Sequence, residues 1–119
     1  MAMLRHRRRS LARIQASLIY SVRSLADAVY RDELNLMSRG DRDLRLVYAL
    51  TRHHPIDWSG HRGRITASLL AENSFLPEQN PMFFICGPTG FVETVSSMLV
   101  KLGFSPLTIR TERFGPTGA

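Results

Sequence analysis

Three short apolar runs limit what this chain can fold into: SLIYSV at residues 17–22, LRLVYAL at Leu44–Leu50 and MFFIC at residues 82–86. None follows a strict polar–apolar alternation, and each is shorter than an ordinary helix, the pattern of strands covered on both faces. Stretches with helical spacing lie between them. In RSLADAVYRDELNLMSRG, Ser24 with Asp27 three residues on predicts a capping-box start. Ala26, Val29, Tyr30, Leu34 and Met37 keep one face, and Gly40 supplies the stop. A polar loop at 51–65 leads to the short helical stretch TASLLAE at 66–72. After Gly87-Pro88, the positions Val92, Val95, Leu99 and Leu102 repeat at helical spacing until Gly103. LTI at 107–109 reads as a last strand. Strand, helix, strand, helix, strand predicts an α/β fold, a doubly wound parallel sheet with helices on its faces.

At 119 residues the chain is one domain at most. Its net charge of +6 is carried almost wholly by arginine, with Lys101 the one lysine. The planar guanidinium fork favours phosphate or carboxylate partners. No recognisable nucleic-acid motif accompanies the charge, so a nucleic-acid partner is not expected. No apolar run is long enough to span a bilayer, so neither is a membrane. A single cysteine, Cys86, excludes an intrachain disulfide framework and suits a reducing, cytoplasmic setting. The basic N-terminal stretch RHRRRSLARIQAS resembles a transit peptide in composition. The plainer reading is a helix with Leu4, Leu11 and Ile14 on its apolar side and the arginines as a solvated face.

Ligands of doubly wound sheets bind beyond the C-terminal ends of the strands. Ser21 and Arg23 fall there after the first run, Thr51 and Arg52 after the second, and Cys86 and Gly87 after the third. Gly87 and Gly90 leave room for a ligand at the backbone, and the following helix offers unpaired N–H groups to an anion. Arg52, Arg62 and Arg64 bracket the loop TRHHPIDWSGHRGRI and could converge on a phosphate, with a solvated loop as the alternative. His53, His54 and His61 lack a cysteine or carboxylate cluster to complete a ligand set, so no metal is expected. Cys86, at the end of a buried strand, reads by base rate as structural. The sequence Gly-Pro-Thr-Gly occurs at 87–90 and again at 115–118 in different surroundings, which is shared turn chemistry and not a repeat.

Four segments carry a family resemblance: YSVRSLADAVYRDEL at 20–34, LTR…W.G..GRI at 50–65, FFICGPTGFVE at 83–93 and IRTERFGPTG at 109–118. Together they resemble the Rossmann-like NAD(P)-binding domain of the ferredoxin–NADP reductase superfamily of flavin-dependent oxidoreductases. The resemblance implies that Cys86 and Gly87 line a hydride-transfer site, with Pro88 and Thr89 at the dinucleotide. Glu112 and Phe114 would lie near the flavin. Thr51 and Arg52, helped by Arg64, would hold an adenosine 2′-phosphate, and Ser21 and Arg23 would stand at the ribose or pyrophosphate. NADP, or NAD, is the implied nucleotide, with FAD in the complete enzyme and a ferredoxin or oxygenase component as electron acceptor.

Members of that superfamily also carry an upstream flavin-binding β-barrel and a first nucleotide-domain strand with a glycine-rich phosphate loop. Residues 1–119 match neither, which implies a single partial NAD(P)H-binding domain lacking its first strand, truncated relative to the family. The other reading is a non-catalytic remnant that docks an acidic partner.

Overall fold

The computed structural model describes residues 1–9 and 14–114. It is a mixed α/β fold whose strands pair in parallel, as the alternation predicts. The chain divides into two compact units, Met1–Arg64 and Ile65–Ala119.

The first unit contains α1 (Ala2–Arg9), β1 (Ala16–Val22), α2 (Arg31–Arg39), β2 (Leu44–Leu50) and β3 (His61–Arg62). The strands form one sheet in the order β1-β2-β3. β1 and β2 are in register along their whole length, from Ala16 opposite Leu44 to Val22 opposite Leu50. α2 packs on β2, and Leu34, Met37, Leu44, Ala49 and Leu50 are buried.

Two expectations need correcting here. The helix predicted from Ser24 begins only at Arg31; residues Leu25–Asp27 form a 3-10 turn. The Ser24 hydroxyl donates to the Asp27 carboxylate (3.0 Å) and accepts no backbone N–H. The Val29 amide is taken by the Tyr20 hydroxyl, and Tyr30 sits at φ 64°, so a helix cannot propagate through them. Of the α1 arginines expected on a solvated face, Arg5 is exposed but paired, and Arg7 is largely covered. Arg5 grips the Glu33 carboxylate through Nε and Nη2 (2.9 Å each) and lies 5.1 Å from the Tyr30 ring centre. Arg7 binds the Asp41 carboxylate and the Ile14 carbonyl. Ile14 lies beyond α1 and is exposed, and Leu11 falls outside the described residues.

The second unit contains α3 (Ala67–Asn73), β4 (Phe83–Gly87), α4 (Thr89–Lys101) and β5 (Ile109–Arg113). Thr66 caps α3 by accepting the Leu69 amide (3.1 Å). α4 packs on β4 and β5, burying Val92, Val95 and Leu99, with Ile85 and Phe104 in the same core. Gly103 (φ 102°) closes α4, with Phe104 N–H on the Leu99 carbonyl and Gly103 N–H on the Val100 carbonyl. That pair of bonds is the Schellman arrangement.

The run at 82–86 is not covered on both faces. β4 alternates, with Ile85 and Gly87 buried while Phe84 (58%) and Cys86 are exposed. α4 covers the Ile85 side, and among the described residues of this unit no element covers the other. The last strand lies further along than predicted. Pro106–Thr108 form a 3-10 turn capped by Ser105, and β5 starts at Ile109. No described helix is long and apolar enough to cross a membrane.

Candidate dinucleotide-binding edges

Each sheet presents its candidate residues at the C-terminal ends of its strands. In the first unit, the Thr51 amide donates to the Val22 carbonyl (2.9 Å), and the amides of Arg52 and His53 both donate to the Arg23 carbonyl (3.1 and 2.9 Å). The chain segments carrying Arg23 and Arg52 are thereby stapled together just past the strands. Ser21, opposite Ala49, stands one residue inside the edge and is half-buried.

The polar loop then leaves the sheet and returns beside its own point of departure. β3, two residues long, pairs with Ala49 and Leu50, and Gly63 N–H donates to the Leu50 carbonyl (2.8 Å). Arg62 is opposite Leu50, so Arg52 and Arg64, each two residues further on, leave the sheet at the same level. Gly63 is at φ 91°, a turn that a side chain would strain.

The loop arginines have different fates. Arg62 Nη2 donates to the Trp58 carbonyl (2.7 Å), so that guanidinium is committed to the loop itself. The side chains of Arg23, Arg52 and Arg64 are exposed and have no partner among the described residues. Three unpaired guanidinium groups at one strand edge form a donor set suited to phosphate oxygens, which accept from such forks bidentately. None of His53, His54 and His61 joins a group of three metal-ligating side chains among the described residues.

In the second unit, β4 and β5 set Cys86 directly opposite Glu112 and Gly87 opposite Arg113. Residues opposed in a ladder point to the same face, so the Cys86 thiol and the Glu112 carboxylate are neighbours on the exposed face shared with Phe84. The Phe114 amide donates to the Gly87 carbonyl (3.2 Å), which carries the pairing past β5 and holds exposed Phe114 at this edge.

Gly87 has a packing duty that the sequence reading missed. A Cβ there would lie 2.7 Å from the Phe91 ring, so a larger residue could enter only if that ring shifted. Pro88 is the N-cap of α4 and has no polar side chain to close it. The first-turn amides from Thr89 onward therefore remain available to an anion. The second Gly-Pro-Thr-Gly, at 115–118, lies outside the described residues.

Trp58 and Gly60 went unremarked as individual residues, and His61 was weighed only as a metal ligand. The Trp58 indole N–H donates to the His61 carbonyl (3.1 Å), and His61 Nε2 meets the Arg64 carbonyl (2.7 Å). The signal was present as the W.G..GRI spacing, which puts a large ring two residues from a glycine and ahead of a second one.

Residues 1–97 match the family model described as the oxidoreductase NAD-binding domain. Cytochrome b5 reductase 4 of Xenopus tropicalis is 31% identical over 93 residues, covering 76% of this chain and 18% of that protein. Ferredoxin–NADP reductase B of Sorangium cellulosum is 32% identical over 120 residues, covering 95% of this chain and 48% of that protein. Among solved structures, the flavohemoglobin of Malassezia yamatoensis with bound FAD and heme superposes with a TM-score of 0.70 at 31% identity, covering 85% of this chain and 24% of that one. The chain spans only 18%, 29% and 32% of the lengths of the first curated relatives it matches. With its parallel α/β sheets and its donors gathered at the strand ends, the chain belongs to the oxidoreductase NAD-binding domain family, the nucleotide-binding domain of the ferredoxin–NADP reductase superfamily of flavin-dependent reductases.

Proposed function

We propose that this chain holds NADPH for hydride transfer to FAD, as the nucleotide-binding portion of a flavin-dependent oxidoreductase. The nicotinamide supplies the hydride chemistry, and the protein's share is binding, orientation and electrostatics. The observation that carries the choice of nucleotide is the arginine pair. Arg52 and Arg64 leave the sheet at one level with their guanidinium groups unpartnered, which suits a 2′-phosphate dianion. Thr51 stands beside Arg52, its hydroxyl turning to the phosphate from a long bond to the Val22 carbonyl (3.4 Å), and Arg23, stapled to the same segment, serves the ribose or pyrophosphate with Ser21.

Gly87, Pro88 and Thr89 contribute the backbone at the start of α4 to the dinucleotide. Cys86 and Glu112 line the position of the nicotinamide ring, and Phe114 stands toward the flavin. Electrons pass on to an iron–sulfur protein or an oxygenase component in a cytoplasmic setting. Thirteen of the sixteen basic residues lie in residues 1–64, which favours an acidic acceptor.

Titration of the chain with NADP+ and NAD+ tests this reading. One charge-assisted contact is worth roughly 1.5–3 kcal/mol, so Arg52→Ala is expected to weaken NADP+ on the order of tenfold or more and to leave NAD+ nearly unchanged. Equal weakening of both nucleotides would remove the 2′-phosphate from Arg52.

A further inference from the structure

We propose that Trp58, Gly60 and His61 form a clasp that presents Arg52 and Arg64 together, making Trp58 and His61 positioning residues for the 2′-phosphate of NADPH. The inference rests on the nucleotide assignment above and deepens it.

The loop between β2 and β3 has a problem to solve. It must leave the sheet after Leu50 and return beside it, so that Arg64 stands level with Arg52. A loop of this length samples many conformations, and a phosphate site assembled from its two ends would lose affinity to the ordering. Side-chain bonds within the loop remove that freedom in advance. The half-buried Trp58 lies so close over the Gly60 backbone that a Cβ there would be 2.5 Å from the ring. Its indole N–H donates to the His61 carbonyl, at the first residue of β3. Arg62, opposite Leu50, reaches back to the Trp58 carbonyl and completes a closed loop of bonds.

His61 extends the clasp to the binding residue. A carbonyl only accepts, so the contact between His61 Nε2 and the Arg64 carbonyl places the hydrogen on Nε2. The backbone of Arg64 is held by this bond while its guanidinium stays unpartnered. The division of labour among the loop arginines then has a physical basis. Arg62 is consumed in fixing the loop, whereas Arg52 and Arg64 are left with their donors open at the edge. Restraint of the backbone combined with an unpaired side chain is the arrangement expected of a preorganised anion site.

The experiment uses the 119-residue chain with adenosine 2′,5′-bisphosphate and 5′-AMP, which differ by the 2′-phosphate alone. Trp58→Phe keeps an aromatic ring over Gly60 but deletes the N–H. It is expected to weaken the bisphosphate about three- to tenfold, the span of one lost hydrogen bond, and to leave 5′-AMP unchanged. Gly60→Ala, which pushes the ring aside, should do the same, and His61→Gln, which keeps an amide donor, should retain most of the preference. Trp58 is the chain's only tryptophan, so its emission should also shift with the bisphosphate and not with 5′-AMP. Unchanged bisphosphate affinity in Trp58→Phe and Gly60→Ala, alongside a loss in Arg52→Ala, overturns the clasp and spares the nucleotide assignment. Equal weakening of both ligands overturns the clasp too, since that is what a general defect of folding produces. A wild-type chain with no preference for the bisphosphate sinks the NADPH reading and this one with it.

Discussion

Cys86 shows how much one residue's neighbours change its meaning. A cysteine closing an apolar run is by base rate a buried packing residue, yet here it is exposed and opposite a carboxylate. If it lies at the nicotinamide, NADP+ should slow modification of this sole thiol severalfold, and adenosine 2′,5′-bisphosphate, which has no nicotinamide, should not. Equal labelling rates with and without NADP+ would return Cys86 to a structural role. Gly87 was legible as a special position, but its reason was not. The collision with Phe91 is a contact between a strand end and the first turn of a helix, and no sequence spacing reports ring orientation. Gly87→Ala should therefore cost about 1–3 kcal/mol through overpacking, read as a lower urea midpoint whether or not nucleotide is present. Tyr48 gives a pH signature. Its phenol, bonded to the Asn35 side-chain oxygen (3.2 Å), is held above its ordinary value of 10.0, first by burial. The raised value means the folded state keeps the proton after the unfolded state has released it. Its contribution is thus intact below about pH 10 and is lost as pH rises through the folded value. Tyr48→Phe should flatten the fall in urea midpoint between pH 9 and pH 11; an unchanged slope would assign the fall to other groups.

At the scale of elements, legibility followed the kind of force that sets each boundary. β2 was read with its bounds intact because Asp43 and Thr51 flank an unbroken apolar run. α4 was read because three buried positions and a left-handed glycine stop lie in the sequence at helical offsets. β3 was missed: His61 and Arg62 carry no apolar signal, and their pairing comes from closure of the loop. The displaced starts of α2 and β5 share a cause. Serine at both sites engages a local partner, Asp27 for Ser24 and the Leu107 amide for Ser105, and a 3-10 turn forms before the regular element. The cap expected at Ser24 and the cap the fold places at Thr66 should consequently behave differently. Thr66→Ala removes a cap that accepts a backbone N–H and should cost ~1 kcal/mol. Ser24→Ala removes only an exposed bond to a carboxylate and should stay within about 0.5 kcal/mol of the wild type. Comparable losses in urea denaturation would mean that Ser24 caps a helix in solution after all.

The whole molecule carries its polar and apolar exposure unevenly, and this bears on how the chain behaves on its own. β1 pairs with β2 alone, and β4 with β5 alone, among the described residues. One edge of each therefore takes part in no described ladder, the arrangement that favours pairing with other chains. Every residue of β1 is half-buried, where an inner strand of a parallel sheet would be covered on both faces. Phe84 and Met82 add apolar surface on or beside β4, exposed by 58% and 50%. Burial of such side chains is worth roughly 1.5–3 kcal/mol each, set against the ~5–15 kcal/mol by which a whole domain is stable. Two units that each leave a strand edge unfilled, the second with an open apolar face on β4 as well, should not unfold as one cooperative body. We expect the 119-residue chain to bind a hydrophobic dye, to leave FAD unbound, and to melt over a broad range. Trp58 emission, which reports on residues 1–64, should change at a temperature different from that of the far-ultraviolet circular dichroism, which reports on both units. The unfilled edges also make the outcome depend on concentration, because strand edges satisfy one another between chains. A sharp transition, coincident by both probes and independent of concentration, would show that the two sheets gain their missing contacts within a single chain.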